Sequence, residues 1–230
     1  MIDFYYAPTP NGWKVAIMLA ETGLEHRTIL VDLPGGDQLR PEFKAVSPNA
    51  KIPAIVDHGA EAGALSVFES GAILLYLAEK TGKFGPSTLR QRVAFNEWLF
   101  WQSSNQGPIA GQLSHFVNYA PAGEHYSLGR YKGEYERNLA VLDARLTGRD
   151  YIFETYSIAD MMAFPWAFIA KPLGVSLDGF PNVAAWRQRI KTRPAVRRAI
   201  DLHKDKQFSD SASADRNAAL FNQTASHLRP

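Results

Sequence analysis

The chain has no cysteine. That absence excludes disulfides, thiolate metal sites and a protein thiol nucleophile, so any sulfur chemistry must use sulfur that a ligand brings. Long hydrophobic runs are missing too. Stretches such as Ala72-Ile73-Leu74-Leu75-Tyr76-Leu77-Ala78 fall far short of the roughly 20 residues a bilayer span requires. The N-terminus shows no basic region ahead of an apolar one, so neither a membrane segment nor a secretory leader is expected. Charge of one sign is scarce as well: 25 Lys+Arg stand against 23 Asp+Glu. Without the concentrated positive charge that phosphate backbones demand, nucleic acid is not an expected partner. His115 and His125 are too isolated to suggest a metal site. What is present, 46% hydrophobic and 12% aromatic residues in 230, suffices for sizeable cores in a soluble globular protein. Absence of disulfides fits the cytoplasm.

The charge is unevenly divided. Residues 1–85 hold 7 Lys/Arg against 10 Asp/Glu and residues 86–230 hold 18 against 13, which suggests two bodies. In the first, Met1-Ile2-Asp3-Phe4-Tyr5-Tyr6 reads as a strand ending at the Pro8/Pro10 loop. Trp13 to Glu21 reads as a buried helix stopped by Gly23, and Arg27-Thr28-Ile29-Leu30-Val31 as a second strand. A helix near Pro41–Val46 comes next. Ala54–Asp57 and Leu65–Phe68 form two strands joined by the Gly59–Gly63 loop, and Ser70 to about Thr81 a helix with i,i+4 apolar pairs. The order β-α-β-α-β-β-α is that of a thioredoxin-like domain, expected over residues 1–81. Gly82-Lys83-Phe84-Gly85-Pro86 makes a natural linker, 82–86.

Beyond Pro86 strand signals nearly vanish. Leu89–Gln102, Gly129–Leu146, Ser157–Ala170 and Val183–Lys191 read as helices, giving an all-α domain over 87–202. Ser157 with Asp160 three residues on is a capping pattern that starts a helix. Arg187, Arg189, Lys191, Arg193, Arg197 and Arg198 read as a solvated helix face, and Trp98, Trp101 and Phe116 as core. From His203 the chain turns to Ser, Ala, Asp, Asn and Gln, so 203–230 reads as a tail that is mobile or lies over the body.

Three motifs carry the chemistry: Ala7-Pro8-Thr9-Pro10-Asn11-Gly12, Ser47-Pro48-Asn49-Ala50-Lys51-Ile52-Pro53, and Phe68-Glu69-Ser70-Gly71-Ala72-Ile73-Leu74. A lysine and an extended segment entered through proline precede an acidic-hydroxyl pair that opens a helix. Such parts suit a zwitterionic peptide. With Ser157-Ile158-Ala159-Asp160 in the helical half, the chain over about residues 1–200 resembles the glutathione S-transferase family. More narrowly it resembles the nu class, which includes bacterial glutathione-dependent disulfide-bond oxidoreductases and is related to a yeast nitrogen-regulator prion protein. The resemblance implies an α/β plus all-α fold, an N-terminal thioredoxin-like domain followed by an all-helical glutathione-transferase domain. It also implies a homodimer with an active site between the domains that takes reduced or oxidised glutathione as co-substrate.

Glu69 offers a negative charge to the γ-glutamyl ammonium. Ser70, with its hydroxyl and a free N–H at a helix start, suits the γ-glutamyl carboxylate. Ile52 can pair its backbone with the cysteinyl unit as a sheet edge does, with Pro53 turning the chain; the resemblance implies a cis bond there. By the same match Lys51 and Gln38 fall near the glycyl end, and Arg130 contacts a second glutathione unit. The thiolate, the reactive form of sulfur, needs a donor, and in a loop without cysteine Thr9 and Asn11 supply one. Tyr5 and Tyr6 point to opposite faces of a strand and read as core or interface aromatics. The leading expectation is glutathione-dependent disulfide reduction through ligand sulfur alone; conjugation of glutathione to electrophiles is the runner-up, and non-catalytic glutathione binding in a regulatory protein is the alternative of another class.

Overall fold

A computed structural model of the chain describes residues 1–121, 123–206, 220–221 and 224–228. They fall into two compact units, one of Met1–Leu77 with the described residues from Arg198 onward, the other of Ala78–Arg197.

In the first unit β1 (Ile2–Tyr6), α1 (Pro10–Thr22), β2 (His26–Leu30), a 3-10 turn at Asp37–Leu39, α2 (Pro41–Val46), β3 (Ala54–Asp57), β4 (Leu65–Phe68) and α3 (Ser70–Thr81), whose last turn belongs to the second unit, succeed one another in order. The expected β-α-β-α-β-β-α order is the observed one. The sheet runs β2-β1-β3-β4, with β1 parallel to β2 and antiparallel to β3, and β3 antiparallel to β4. α1 is apolar on nearly every side, with Trp13, Val15, Ala16, Ile17, Met18 and Leu19 all buried, as a helix packed in a core must be. It starts earlier than read from the sequence: Thr9, not the Pro8/Pro10 loop, bounds it, accepting from the Gly12 N–H at 3.3 Å. Proline fits the first helical position because its missing N–H would have no partner there. Gly23, left-handed at φ 70°, closes the helix.

Tyr6 and Phe4 are fully buried, with rings 5.2 Å apart, whereas Tyr5 packs edge-on against Phe43. The Tyr6 hydroxyl donates to the Leu202 carbonyl at 3.1 Å, and Lys44 Nζ donates to the His227 carbonyl at 3.3 Å, so described C-terminal residues return to this unit. Residues 207–219, 222–223 and 229–230, most of the expected tail, lie outside the described residues.

The second unit is helical: α4 (Leu89–Trp101), a π-helical turn at Gln102–Gln106, α5 (Gly107–Asn118), α6 (His125–Arg145), α7 (Ile158–Phe168), α8 (Pro181–Lys191) and α9 (Pro194–Asp201), whose last turn belongs to the first unit; a short α10 (Ala225–Leu228), in the first unit, comes after them. Three helices, α5, α9 and α10, go beyond the sequence expectation. In α5 the Gly-Pro start and the preceding Gln-Ser-Ser-Asn-Gln read as loop, but the π turn carries the helix through them, since a single π turn inserts into an α-helix without ending it. α6 begins four residues before the expected Gly129.

The basic residues of α8 and its neighbours divide: Lys191, Arg197 and Arg198 are exposed as expected, whereas Arg187, Arg189 and Arg193 are half-buried. Arg187 gives two hydrogen bonds to the Phe168 carbonyl, Arg189 pairs with Asp150 at 2.7 Å, and the Arg193 guanidinium lies 4.0 Å from the Tyr156 ring centroid. These arginines serve as packing and carbonyl ligands, a use that long amphipathic stems permit.

Candidate active site

The sheet register gathers the three motifs. Tyr5 pairs with Ala54, and Ala54 with Phe68. Because both pairings are antiparallel, the segments leaving β1 and β4 and the segment entering β3 emerge at one end of the sheet. Tyr6 pairs with Leu30 in parallel, so the segment after β2, which carries Gln38, leaves at that end too. The N-termini of α1 and α3 therefore share a neighbourhood, and Lys14 Nζ lies 3.4 Å from Ser70 Oγ. Two helix starts side by side concentrate backbone N–H groups and positive dipole ends, an environment that favours anions.

Each motif is locally fixed. Gly12 is required by space, since a Cβ there would stand 2.2 Å from the Ala7 carbonyl oxygen. Thr9 caps α1 through its hydroxyl oxygen, which leaves the hydroxyl proton to donate elsewhere, and Asn11 is half-buried one residue into the helix. In the second motif Ser47 Oγ donates to the Lys51 carbonyl at 2.9 Å, and Ala50 adopts φ 51°. The Ile52–Pro53 bond is cis. Ile52 precedes the paired strand, whose register begins at Ala54. Lys51 is exposed, whereas Gln38 is buried and donates to the Leu33 carbonyl at 3.1 Å.

In the third motif Glu69 is left-handed at φ 68°, a conformation costly for a residue with a side chain. It turns the chain from β4 into α3 and leaves the Glu69 side chain exposed while Ser70 is only 7% exposed. Arg130 belongs to the second unit, where it is an exposed residue of α6, paired with Glu134 at 3.0 Å, which also takes Arg137.

Lys14 is a residue that the sequence reading misses. It is 2% exposed, and burial pulls its ammonium down to about 7, with the Glu69 charge acting the other way. The signal is available in the sequence: a lone lysine inside a helix apolar on all sides has no solvent-facing position to occupy. Tyr6 does not belong to the site, because its phenol is buried and pushed up by that burial.

The chain matches the family models for the glutathione S-transferase N-terminal domain over residues 9–80 and C-terminal domain over residues 126–189. It is 48% identical over 203 residues to the disulfide-bond oxidoreductase YfcG of Escherichia coli K12, covering 87% of this chain and 94% of that protein. Among solved structures it is similar to a glutathione transferase from Burkholderia graminis with two glutathione molecules bound per subunit (TM-score 0.84, 43% identity, 88% of each chain). It is similar also to one from Pseudomonas putida with one glutathione disulfide bound per subunit (TM-score 0.83, 39% identity, 88% of this chain and 91% of that one). The chain belongs to the glutathione S-transferase family, and it is an enzyme of that family.

Proposed function

We propose that this enzyme is a glutathione-dependent disulfide-bond reductase that works with the thiolate of bound glutathione. The observation that carries the reading is the absence of cysteine from all 230 residues, joined to similarity with a relative named for disulfide chemistry. A glutathione thiolate attacks one sulfur of the substrate disulfide, forming a mixed disulfide and expelling one substrate thiolate. A second glutathione thiolate then attacks the mixed disulfide, giving glutathione disulfide and the second substrate thiol. The two glutathione molecules bound per subunit in the Burkholderia graminis structure and the glutathione disulfide bound per subunit in the Pseudomonas putida structure support this reading, since they correspond to its reactant and product.

In this reading Thr9 and Asn11 donate to the sulfur and favour its anionic form. Glu69 holds the γ-glutamyl ammonium, and Ser70 with the first N–H groups of α3 holds the carboxylate. The Ile52 main chain, ahead of Pro53, takes the cysteinyl unit. Lys51 and Gln38 serve the glycyl end, Lys51 directly through its exposed ammonium and Gln38 by bracing the segment after β2. Arg130 meets a second glutathione unit by exchanging Glu134 for a ligand carboxylate. Residues 1–81 form the glutathione-binding domain and 87–202 the helical one, joined by 82–86. Two copies assemble through apolar side chains that each chain leaves exposed, Leu89, Val93 and Phe100 on α4 and Leu65 and Phe68 on β4. The reducing cytoplasm supplies the glutathione.

The test is turnover of a model disulfide by folded protein with and without glutathione. Reduction that requires glutathione supports the assignment; none in a folded sample sinks it. Conjugation of glutathione to electrophiles begins from the same thiolate, and the transferase names of the two solved relatives favour it as the second reading. Relative turnover on a disulfide and an aryl halide decides between them.

A further inference from the structure

We infer that the helical unit carries a further ligand site, a cavity beside the end of α7 that takes the phosphate head of a small organic phosphomonoester. The cavity measures about 440 Å³ and is lined by Lys171, Gly174, Val175, Ser176, Leu177 and Arg187. All six belong to the second unit, and none is among the residues assigned to glutathione. The volume falls within the roughly 300–1,000 Å³ of small-molecule sites. Two of the lining residues are cations and none is an acid, so the field in the cavity favours an anion.

Each polar lining residue keeps a donor in reserve. Arg187 uses Nε and Nη2 on the Phe168 carbonyl, at 3.2 and 3.0 Å, which leaves the two N–H groups of Nη1. Lys171 is exposed, and among the described residues no acid pairs with it. Ser176 accepts from the Asp178 N–H at 3.1 Å, which leaves its hydroxyl proton to give. Asp178, the acid nearest along the chain, pairs with neither cation. Lys191 adds positive charge nearby, 6.0 Å from the centroid of the Phe168 ring. Burial pulls the Arg187 guanidinium down from its ordinary value, an effect that a bound anion opposes.

The C-terminal end of a helix ordinarily repels an anion, because its last carbonyls carry partial negative charge. At the end of α7 those carbonyls are covered. Arg187 takes that of Phe168, the Leu173 N–H those of Ile169 and Ala170, the Val175 N–H that of Ala170 again, and the Gly174 N–H that of Lys171. Gly174, left-handed at φ 73°, makes the turn that allows this. Charge and donor count select phosphate over carboxylate. A phosphomonoester carries about 1.5 to 2 negative charges near neutral pH and three acceptor oxygens, which match two cations and three donor groups. A carboxylate has one charge and two oxygens. Val175 and Leu177 supply an apolar wall for the organic part of the ester.

The probe is phenyl phosphate, titrated into the full chain by calorimetry, with backbone amide NMR shifts to locate it. The native protein should bind it and shift the amides of Gly174 and Ser176. Lys171→Glu changes an exposed side chain and should weaken binding by about tenfold or more, because it sets like charges together. Ser176→Ala should weaken it by a few-fold, the loss of one donor. Both variants should melt as the native protein does. Benzoate, the same ring with a single charge, and inorganic phosphate, the same head without the ring, should each bind about tenfold more weakly than phenyl phosphate. Phenyl phosphate that binds Lys171→Glu as tightly as the native chain, or that shifts only amides at the starts of α1 and α3, overturns the inference. So does the absence of binding up to about 10 mM. Benzoate bound as tightly as phenyl phosphate overturns the choice of a phosphate head, and inorganic phosphate bound as tightly overturns the ester.

Discussion

The indole of Trp186 on α8 donates a 2.8 Å hydrogen bond to the carboxylate of Asp160 on α7, which is wholly buried. The same carboxylate accepts from the Ile152 N–H at 2.9 Å, the Ser157 N–H at 3.0 Å and the Ser157 hydroxyl at 3.1 Å. Burial pushes Asp160 up to about 6 against the pull of these four donors. One side chain thereby ties the start of α7 to the preceding loop and to α8.

Replacing Asp160 with Ala leaves those buried donors without their acceptor. The expected loss is on the order of 3–5 kcal/mol, the scale for breaking a buried charged network by removing one member. Chemical denaturation of both proteins at neutral pH measures it. A loss below about 1 kcal/mol would mean that the network is not a keystone of the helical unit.

Glu69→Ala and Ser70→Ala should each weaken glutathione binding by roughly 1.5–3 kcal/mol, the worth of a hydrogen bond to a charged group. Glu69 carries a further diagnostic. Because its backbone is left-handed at φ 68°, Glu69→Gly should relieve strain and stabilise the fold while still losing affinity. Calorimetric titration beside thermal melting separates the two effects.

Asn11→Ala should lower turnover more than affinity, because an interaction with sulfur that strengthens as the thiolate forms acts on the reaction rather than on ground-state binding. Thr9 needs a more careful substitution. Its oxygen caps α1, so Thr9→Ala costs about 1 kcal/mol of helix stability besides any catalytic effect. Thr9→Ser keeps cap and donor together and should retain activity. Steady-state kinetics on a disulfide substrate, with stability measured in parallel, tests all three.

The first unit is legible in the sequence because its signals agree: runs of β-forming residues, Gly23 ending α1, and Glu-Ser opening α3. Helix α5 is hidden because Gly107 and Pro108 break a helix only when the chain has to start afresh, and the π turn spares it that. The arginines of α8 look solvated because sequence shows charge but not the carbonyl or ring beneath it. Lys14 shows the same limit inside the candidate site. Its burial accords with the apolar residues around it, but its 3.4 Å approach to Ser70 depends on sheet register, which brings together two helix starts 60 residues apart.

The exposed residues of α4 bear on assembly. Leu89, Val93 and Phe100 recur at helical spacing and are 77%, 54% and 69% exposed, while Phe95 and Leu99 of the same helix are buried. A helix with an apolar stripe on its open face suits an interface. On the proposed homodimer, Phe100→Glu should shift the mass read by light scattering from that of a dimer to that of a monomer without changing helical content. A Phe100→Glu protein that remains a dimer would remove α4 from the interface.

Lys14 also makes a prediction about stability that is independent of ligand. Its folded value near 7 lies below the ordinary lysine value of 10.5, so between those limits the unfolded chain holds more protons than the folded one. Stability from this group therefore rises with pH through that window, and the cost of the buried ammonium is greatest below about pH 7. Lys14→Met removes that cost. The variant should be more stable than the native protein at pH 6 by on the order of 4 kcal/mol, with the advantage shrinking steadily toward pH 10. Urea denaturation at a series of pH values reads the difference directly. Gained stability that fades toward alkaline pH would identify the buried ammonium as a cost that the fold carries. A variant destabilised at every pH would instead make Lys14 a structural strut.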